Sequence, residues 1–177
     1  MNSSTREIQG MNRDFRVVVS SLLNGTTHEL SFGLRGSLPD LFVTSSRVEP
    51  GEAIVVEGQL EAAGAGLLAT IRIQSRFVGD CVRCLERCSG EIEVSSRELF
   101  TEGDTSEDTY GFSGEAVDLS EVVRDLVIMS LPVVPLCSPD CRGLCQLCGA
   151  SLNLGPCSCD RQASDPRWAA LDQLHNG

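Results

Sequence analysis

The stretch CSPDCRGLCQLCGASLNLGPCSC, from Cys137 to Cys159, holds six of the nine cysteines of this 177-residue chain. Cysteine at this density, interrupted by three glycines, is typical of metal-binding turns or of a disulfide framework, and it is unusual in an ordinary core. Two further cysteines, Cys81 and Cys84, form a second motif, CVRC, far upstream. The fold therefore has to explain why the two cysteine motifs are separated.

The rest of the chain indicates a reducing compartment. The N-terminus has no apolar run of the kind found in a signal peptide, and the longest apolar stretch, residues 126–136, is short and contains two prolines. We therefore expect a cytoplasmic protein without a membrane segment, in which thiols stay reduced and clustered cysteines bind metal. The odd number of cysteines also argues against a closed set of disulfides.

The cysteine spacing predicts two zinc sites. Zinc takes four thiolate ligands at about 2.3 Å, and two cysteines a few residues apart can bind it from one turn. Eight cysteines form four such pairs, and Cys88 is left over; the pairs are Cys81/Cys84, Cys137/Cys141, Cys145/Cys148 and Cys157/Cys159. We expect the last two pairs to form a local site and the first two to meet across the fold.

Three alternatives to this assignment remain open. Cys141 could replace Cys157 or Cys159 in the local site. The cysteines could also be buried free thiols, although pairs spaced by one to three residues rarely arise for packing alone. A redox-active CxxC at Cys81 or Cys145 is the third possibility, but it is typical of a helix N-terminus that follows a strand.

Alternating polarity predicts a sheet. Between residues 67 and 78 the apolar positions recur every second residue, as in a half-buried strand. Similar patterns predict strands at 15–20, 53–61 and 91–99, whereas residues 30–47 are ambiguous. The CVRC motif falls between two of these strands and predicts a hairpin with a metal-binding tip.

The remaining segments complete an α+β protein, with a mainly antiparallel sheet, one packed helix and a Cys-rich zinc-binding C-terminal module. An acidic loop leads into a predicted helix at 119–130, which Asp118 would cap and Pro132 would end. A short C-terminal helix is expected to begin at Asp165-Pro166. We expect a disordered N-terminus at 1–13, a β-rich domain at 14–136 and the Cys-rich module with the short helix at 137–177.

The charge disfavours a protein that binds nucleic acid over its whole surface. The formal net charge is −11, and all fourteen basic residues are arginines. The local candidates for RNA contact are the arginines on the polar face of strand 67–78 and those beside the cysteine motifs: Arg72, Arg76, Arg83, Arg87 and Arg142. We expect no enzyme activity, because no nucleophile motif or phosphate-binding loop occurs and a four-cysteine zinc site has no position for water. No small-molecule substrate is evident.

The segments CVRCL, DLSEVVRDLVIMSLPVVPLC, CRGLCQLCGASLNLGPCSCD and DPRWAALDQL resemble the YceD family, the large ribosomal RNA subunit accumulation proteins. The resemblance spans roughly residues 15–175. It implies a cytosolic factor needed for 23S rRNA to accumulate, and hence a role in large-subunit assembly. It also implies that the eight paired cysteines are the residues of the family's motif.

The sequence thus predicts a ribosome-biogenesis factor, without enzyme activity, that binds 23S rRNA or a large-subunit ribosomal protein. A first alternative is an acidic protein-interaction module that holds a basic ribosomal protein, which the negative charge favours. A second alternative is a thiol oxidoreductase or a zinc-dependent nuclease.

Overall fold

The computed structural model describes residues 15–64, 66–103 and 109–159. The expected disordered N-terminus, the middle of the acidic loop and the expected C-terminal helix lie outside these residues. The described residues form eight strands and two helices, which are β1 (Arg16–Val18), α1 (Ser20–Leu23), β2 (Glu29–Gly36), β3 (Ser46–Arg47), β4 (Ile54–Ala63), β5 (Gly66–Asp80), β6 (Arg87–Glu102), β7 (Tyr110–Phe112), β8 (Ala116–Asp118) and α2 (Ser120–Ser130).

Most of the strands form one sheet with the order β2-β4-β5-β6-β7, and β3 pairs with β5 beyond the end of β4. The neighbours are antiparallel except for β6 and β7, which run parallel. Strands β1 and β8 form a separate two-stranded ribbon. The predicted α+β class with a mainly antiparallel sheet is confirmed.

The longest feature of the sheet is the β5–β6 hairpin, whose register runs from Gly66 opposite Thr101 to Asp80 opposite Arg87. Along β5, alternate side chains such as Ile71 are buried, and the intervening ones are exposed. The long in-register pairing fixes the position of the tip, residues 81–86, beyond the last paired residues. The CVRC motif therefore lies at the end of the hairpin, as its spacing predicted.

Helix α2 covers the inner face of the sheet. Val122, Val123 and Val127 are buried in the same apolar cluster as the inward-facing residues of β4, β5 and β6. The side chain of Asp118 accepts a hydrogen bond from the Ser120 backbone N–H at 2.9 Å, so it satisfies one of the free donors at the helix start. The helix ends at Ser130 because Leu131, which precedes Pro132, is extended.

Two segments differ in detail from the expectations. The ambiguous segment 30–47 contains β2, which has eight residues, and the short strand β3. The strand expected at 15–20 is limited to β1, and the chain then turns through α1, where Leu22 is buried. Within the described part of the chain, no helix is long and apolar enough to cross a membrane.

Candidate metal centre

The first group of cysteines joins the hairpin tip to the chain that follows α2. It consists of Cys81, Cys84, Cys137 and Cys141, whose Sγ atoms all lie within 4.8 Å of one another. The Sγ atoms of Cys81 and Cys141 are 3.7 Å apart, and those of Cys84 and Cys137 are 3.5 Å apart. Each of these two short distances therefore joins a tip cysteine to a cysteine more than fifty positions away.

The hairpin tip is held in a tight turn that brings its two cysteines to one side. The Cys81 N–H donates to the Glu86 carbonyl, and the Leu85 N–H donates back to the Cys81 carbonyl, both at 2.8 Å. Leu85 has a φ of 61°, in the left-handed region that a leucine seldom adopts. Such backbone strain persists only where the surrounding structure compensates for it.

Backbone contacts fasten the same tip to the segment 135–144. The Val82 N–H donates to the Pro135 carbonyl at 3.1 Å, and the Leu144 N–H donates to the Arg83 carbonyl at 3.1 Å. The Arg83 side chain reaches over this junction, because its Nη1 donates to the Cys141 carbonyl at 2.8 Å. These hydrogen bonds therefore fasten the hairpin tip, which carries Cys81 and Cys84, to the segment that carries Cys137 and Cys141.

The second group is local. It consists of Cys145, Cys148, Cys157 and Cys159, and their Sγ atoms also lie within 4.8 Å of one another. The turn between the first two cysteines is closed by the Cys145 N–H, which donates to the Ala150 carbonyl at 2.8 Å, and by the Gly149 N–H, which donates to the Cys145 carbonyl at 2.9 Å. Gly149 has a φ of +72°, which explains the need for glycine at this turn.

The donor atoms fit a tetrahedral thiophilic metal ion. Four sulfurs at about 2.3 Å from a central ion would be about 3.8 Å apart along each edge of the tetrahedron. The Sγ–Sγ distances of 3.7 and 3.5 Å in the first group are close to this value. Each of the two groups could therefore hold one metal ion. The role of the eight cysteines as ligands stays a prediction.

Local hydrogen bonds decide which thiol of the first group ionises most easily. Burial would raise the pKa of the Cys81 thiol, but backbone N–H groups outweigh burial and lower that pKa to about 6. These donors belong to Cys137, Cys84 and Arg83. In contrast, the adjacent thiols of Cys141 and Cys84 raise the pKa of Cys137 to about 12. Four sulfurs this close cannot all ionise without a cation among them.

The second group shows the same contrast. The backbone N–H groups of Cys148 and Leu147 lower the pKa of Cys145 to about 6. The side chain of Cys148, followed by burial, raises the pKa of Cys159 to about 12. Each group thus combines at least one readily formed thiolate with a neighbour that keeps its proton unless a positive ion replaces it.

Asn153 connects the two groups and was not among the residues that the sequence singled out. Its Oδ1 accepts a hydrogen bond from the Arg142 N–H at 2.7 Å, and its Nδ2 donates to the Cys141 Sγ at 3.4 Å. The amide is the largest influence that lowers the pKa of Cys141. Its signal in the sequence was the Leu-Asn pair that follows the CxxCG motif.

Cys88 is buried beside the first group but belongs to neither group. Burial raises the pKa of its thiol, and the nearby Cys81 and Asp80 raise it further. A protonated, buried thiol behaves as a small apolar side chain. The structure therefore places Cys88 in the packing around the hairpin tip.

The candidate RNA-contact arginines do not form one patch of free cations. Arg72 pairs with Glu93, and Arg87 pairs with Glu49 at 2.6 Å. Arg83 donates to backbone carbonyls at the junction. Arg76 and Arg142 are exposed, and neither forms an ion pair with another residue of the described chain.

Comparison with known proteins identifies relatives of the whole cysteine region. The family model YceD, described as large ribosomal RNA subunit accumulation protein, matches residues 69–175, which confirms the resemblance noted in the sequence. An uncharacterized protein of Mycobacterium tuberculosis is 35% identical over 134 residues, which are 72% of this chain and 64% of that protein. The chain thus spans less than two thirds of the length of this relative.

A plant relative carries a functional name. The protein of Arabidopsis thaliana named large ribosomal RNA subunit accumulation protein YCED homolog 1, chloroplastic, is 36% identical over 58 residues. The matched region is 33% of this chain and 18% of the plant protein. No solved structure matches the chain.

Proposed function

We propose a role in the accumulation of large-subunit ribosomal RNA for this chain, which belongs to the YceD family of large ribosomal RNA subunit accumulation proteins. One observation carries the proposal: the matched residues, 69–175, include the β5–β6 hairpin, helix α2 and both cysteine groups. The residues that match the family model thus include all eight cysteines of the two groups. We place this activity in the cytoplasm, where thiols stay reduced.

Each cysteine group holds one zinc ion in this proposal, and the metal has a structural role. Four thiolates complete a tetrahedral shell, so neither ion keeps a position for water or substrate. The ion of the first group fixes the hairpin tip against residues 137–141, and the ion of the second group orders the turn that follows. This arrangement supports a protein without enzyme activity over a zinc-dependent nuclease or a thiol oxidoreductase.

The surface charges favour a basic large-subunit ribosomal protein as the partner. The chain has a formal net charge of −11. On the outer face of the sheet, Arg72 and Arg97 are already paired with glutamates. A surface whose cations are neutralised in this way attracts a positively charged partner more readily than it attracts phosphates. The chain would hold that protein while the large subunit is assembled.

Direct contact with 23S rRNA is the second candidate. Arg76 and Arg142 support it, because both are exposed and neither forms an ion pair within the described residues. Arginine suits bidentate contact with phosphate. If this second candidate holds, Arg76 would contact the RNA from the outer face of the sheet, and Arg142 would contact it from the cysteine-rich segment.

The experiment has two parts. In cells that lack the chain, we expect the ratio of 23S to 16S rRNA to fall and wild-type protein to restore it. Cys81→Ser should fail to restore the ratio, whereas Cys88→Ser, a matched control outside both groups, should restore it. An unchanged ratio in the deletion strain would contradict the proposal.

The second part identifies the partner. A tagged chain recovered after nuclease treatment should retain a basic large-subunit protein. If the protein is lost on nuclease treatment and RNA crosslinks instead to Arg76 and Arg142, the second candidate is correct. Arg76→Glu combined with Arg142→Glu would then abolish the crosslinks, but it should leave protein recovery unchanged if the first candidate holds.

A further inference from the structure

The outer edge of β2 is a long strand edge that pairs with no other strand in the described part of the chain. Strand β2 pairs with β4 on one side, from Glu29 opposite Glu61 to Gly36 opposite Ile54. Among residues 15–64, 66–103 and 109–159, no strand pairs with its other side, and no turn or side chain there bonds to its backbone. Every second residue of this edge therefore presents its N–H and C=O groups outward.

This edge lacks the features that usually prevent pairing with another chain. Exposed edges are commonly protected by proline, by charged side chains and especially lysine, by a bulge or by a very short strand. Strand β2 has the sequence ELSFGLRG, with eight residues and no proline or lysine; its two charges, Glu29 and Arg35, leave residues 30–34 uncharged, and its pairing with β4 is continuous. It is suited to accept a further strand.

The inner side of β2 is apolar but only partly covered. Leu30, Phe32 and Leu34 pack against the core cluster, yet each remains partly exposed, whereas Val56 and Leu60 on the neighbouring β4 are fully buried. The difference arises because β4 has a strand on both sides and β2 has one. An added strand with apolar residues on the same face would complete the burial of this row.

The charges of β2 complement each other when the strand meets its own copy. In an antiparallel pair related by a two-fold axis at Phe32, residues at equal distances from Phe32 lie opposite one another. Leu30 then faces Leu34 of the second copy, and Glu29 faces Arg35. Moving the axis by one residue in either direction places Glu29 opposite an uncharged position, so one register is selected.

Among the residues that the structure describes, neither of these charges has an ion-pair partner. Glu29 lies opposite Glu61 on β4, and like charges in directly opposed positions are unfavourable. Arg35 lies opposite Val55 and forms no ion pair with a described residue. A second copy would supply a cation beside Glu29 and a carboxylate beside Arg35, twice in each dimer.

We propose that β2 pairs antiparallel with β2 of a second copy of this chain, about a two-fold axis at Phe32, and so joins the two main sheets into one. A single pair of strands buries a small interface, so the dimer forms in a concentration-dependent way. The apolar row at Leu30, Phe32 and Leu34 stabilises it, and the two Glu29–Arg35 pairs set its register.

Sedimentation velocity of the full-length chain tests this inference over a wide range of concentrations. Arg35→Glu or Glu29→Arg alone creates two like-charge contacts in each dimer, and we expect each to raise the dissociation constant about tenfold or more. The double variant E29R/R35E exchanges the charges and should return the dissociation constant to within about threefold of the wild type.

Arg76→Glu is the matched control, because it changes the net charge as Arg35→Glu does but lies on β5, two strands from the edge. It should leave dimerisation unchanged, and circular dichroism should show every variant folded. A wild-type monomer at all concentrations, or a double variant that stays as weak as the single ones, would overturn the proposal. A monomer whose outward-pointing β2 amides are protected from hydrogen exchange would do so too, and would assign the edge to a segment of the same chain outside the described residues.

Discussion

Gly143 offers a quantitative test of how closely the hairpin tip approaches the chain after α2. Its φ is +74°, and a Cβ atom added there would lie 3.0 Å from the Arg83 carbonyl oxygen. That oxygen accepts the hydrogen bond from the Leu144 N–H at 3.1 Å. Replacement by alanine therefore strains the backbone and also presses on the junction between the two segments.

The magnitude follows from a comparison with Gly149. An L-residue in the left-handed region costs about 1–2 kcal/mol. Gly149→Ala carries this cost alone, because its φ is +72° and no atom of the described residues lies within 4 Å of the added Cβ. In Gly143→Ala the added Cβ also crowds the Arg83 carbonyl oxygen, and such crowding costs about 1–3 kcal/mol more. The two variants should thus differ by at least about 1 kcal/mol, a factor of about five or more.

Hydrogen exchange of the Leu144 amide, measured in the zinc-loaded chain, reads out the opening of this junction directly. We expect exchange in Gly143→Ala to be at least about fivefold faster than in Gly149→Ala, which is the matched control. Equal exchange rates in the two variants would refute the close approach of Gly143 to Arg83. If exchange is slower in Gly143→Ala than in the wild type, the conclusion that the positive φ of Gly143 makes alanine unfavourable there is also refuted.

Two further predictions concern single side chains. Asn153→Ala removes the amide donor to Cys141, so we expect the zinc affinity of the first group to fall about 10- to 100-fold in a chelator competition. Ser151→Ala, which removes a buried hydroxyl that bonds to no described residue, should have little effect. Tyr110 is the only tyrosine, and burial followed by the Asp125 carboxylate raises its pKa to about 12. Absorbance of the ionised phenol should show this value, and Asp125→Asn should lower it but leave it above about 10, because the burial remains.

The sign of the Tyr110 effect on stability follows from the direction of its shift. The phenol has a higher pKa in the folded chain than the value of about 10 in an unfolded chain. Its contribution to the free energy of unfolding is therefore complete below about pH 10 and is lost as the pH rises towards 12. A phenol that titrates near its ordinary pKa would contradict the burial of Tyr110. Equal loss of zinc affinity in Asn153→Ala and Ser151→Ala would contradict the role of the amide.

The sequence predicted β5 well because burial on one face imposes a period of two that is visible in single residues. The same physics made the hairpin predictable, since β6 resumes the pattern after the CVRC motif. Spacing also suggested the grouping of the cysteines, because the last four are near enough to meet without any other part of the fold.

The parts that escaped prediction depend on contacts that are distant in the sequence. Strand β2 has alternating Leu30, Phe32 and Leu34, but Gly33 and Gly36 disfavour a strand, so only the pairing with β4 decides its structure. Asn153 has no sequence pattern of its own beyond the motif that contains it, because its function depends on where Cys141 lies in space.

The arginines show the same limit. Arg83 lies within the hairpin tip and Arg87 directly follows it; they have the same charge, and both were candidates for RNA contact. The structure gives them different partners: Arg83 binds backbone carbonyls of the segment after α2, and Arg87 binds the Glu49 carboxylate. The sequence showed that arginines lie near the cysteines. It could not show which of these arginines already have hydrogen-bond or ion-pair partners.

The most direct test of the central claim is the zinc content of the purified chain and of three cysteine variants. We expect two zinc ions per wild-type chain, one for each four-cysteine group. Cys81→Ser and Cys145→Ser should each lose one ion, and Cys88→Ser should keep both. A wild-type chain that carries no zinc and has nine freely titratable thiols, or a Cys88→Ser variant that loses an ion, would contradict the account.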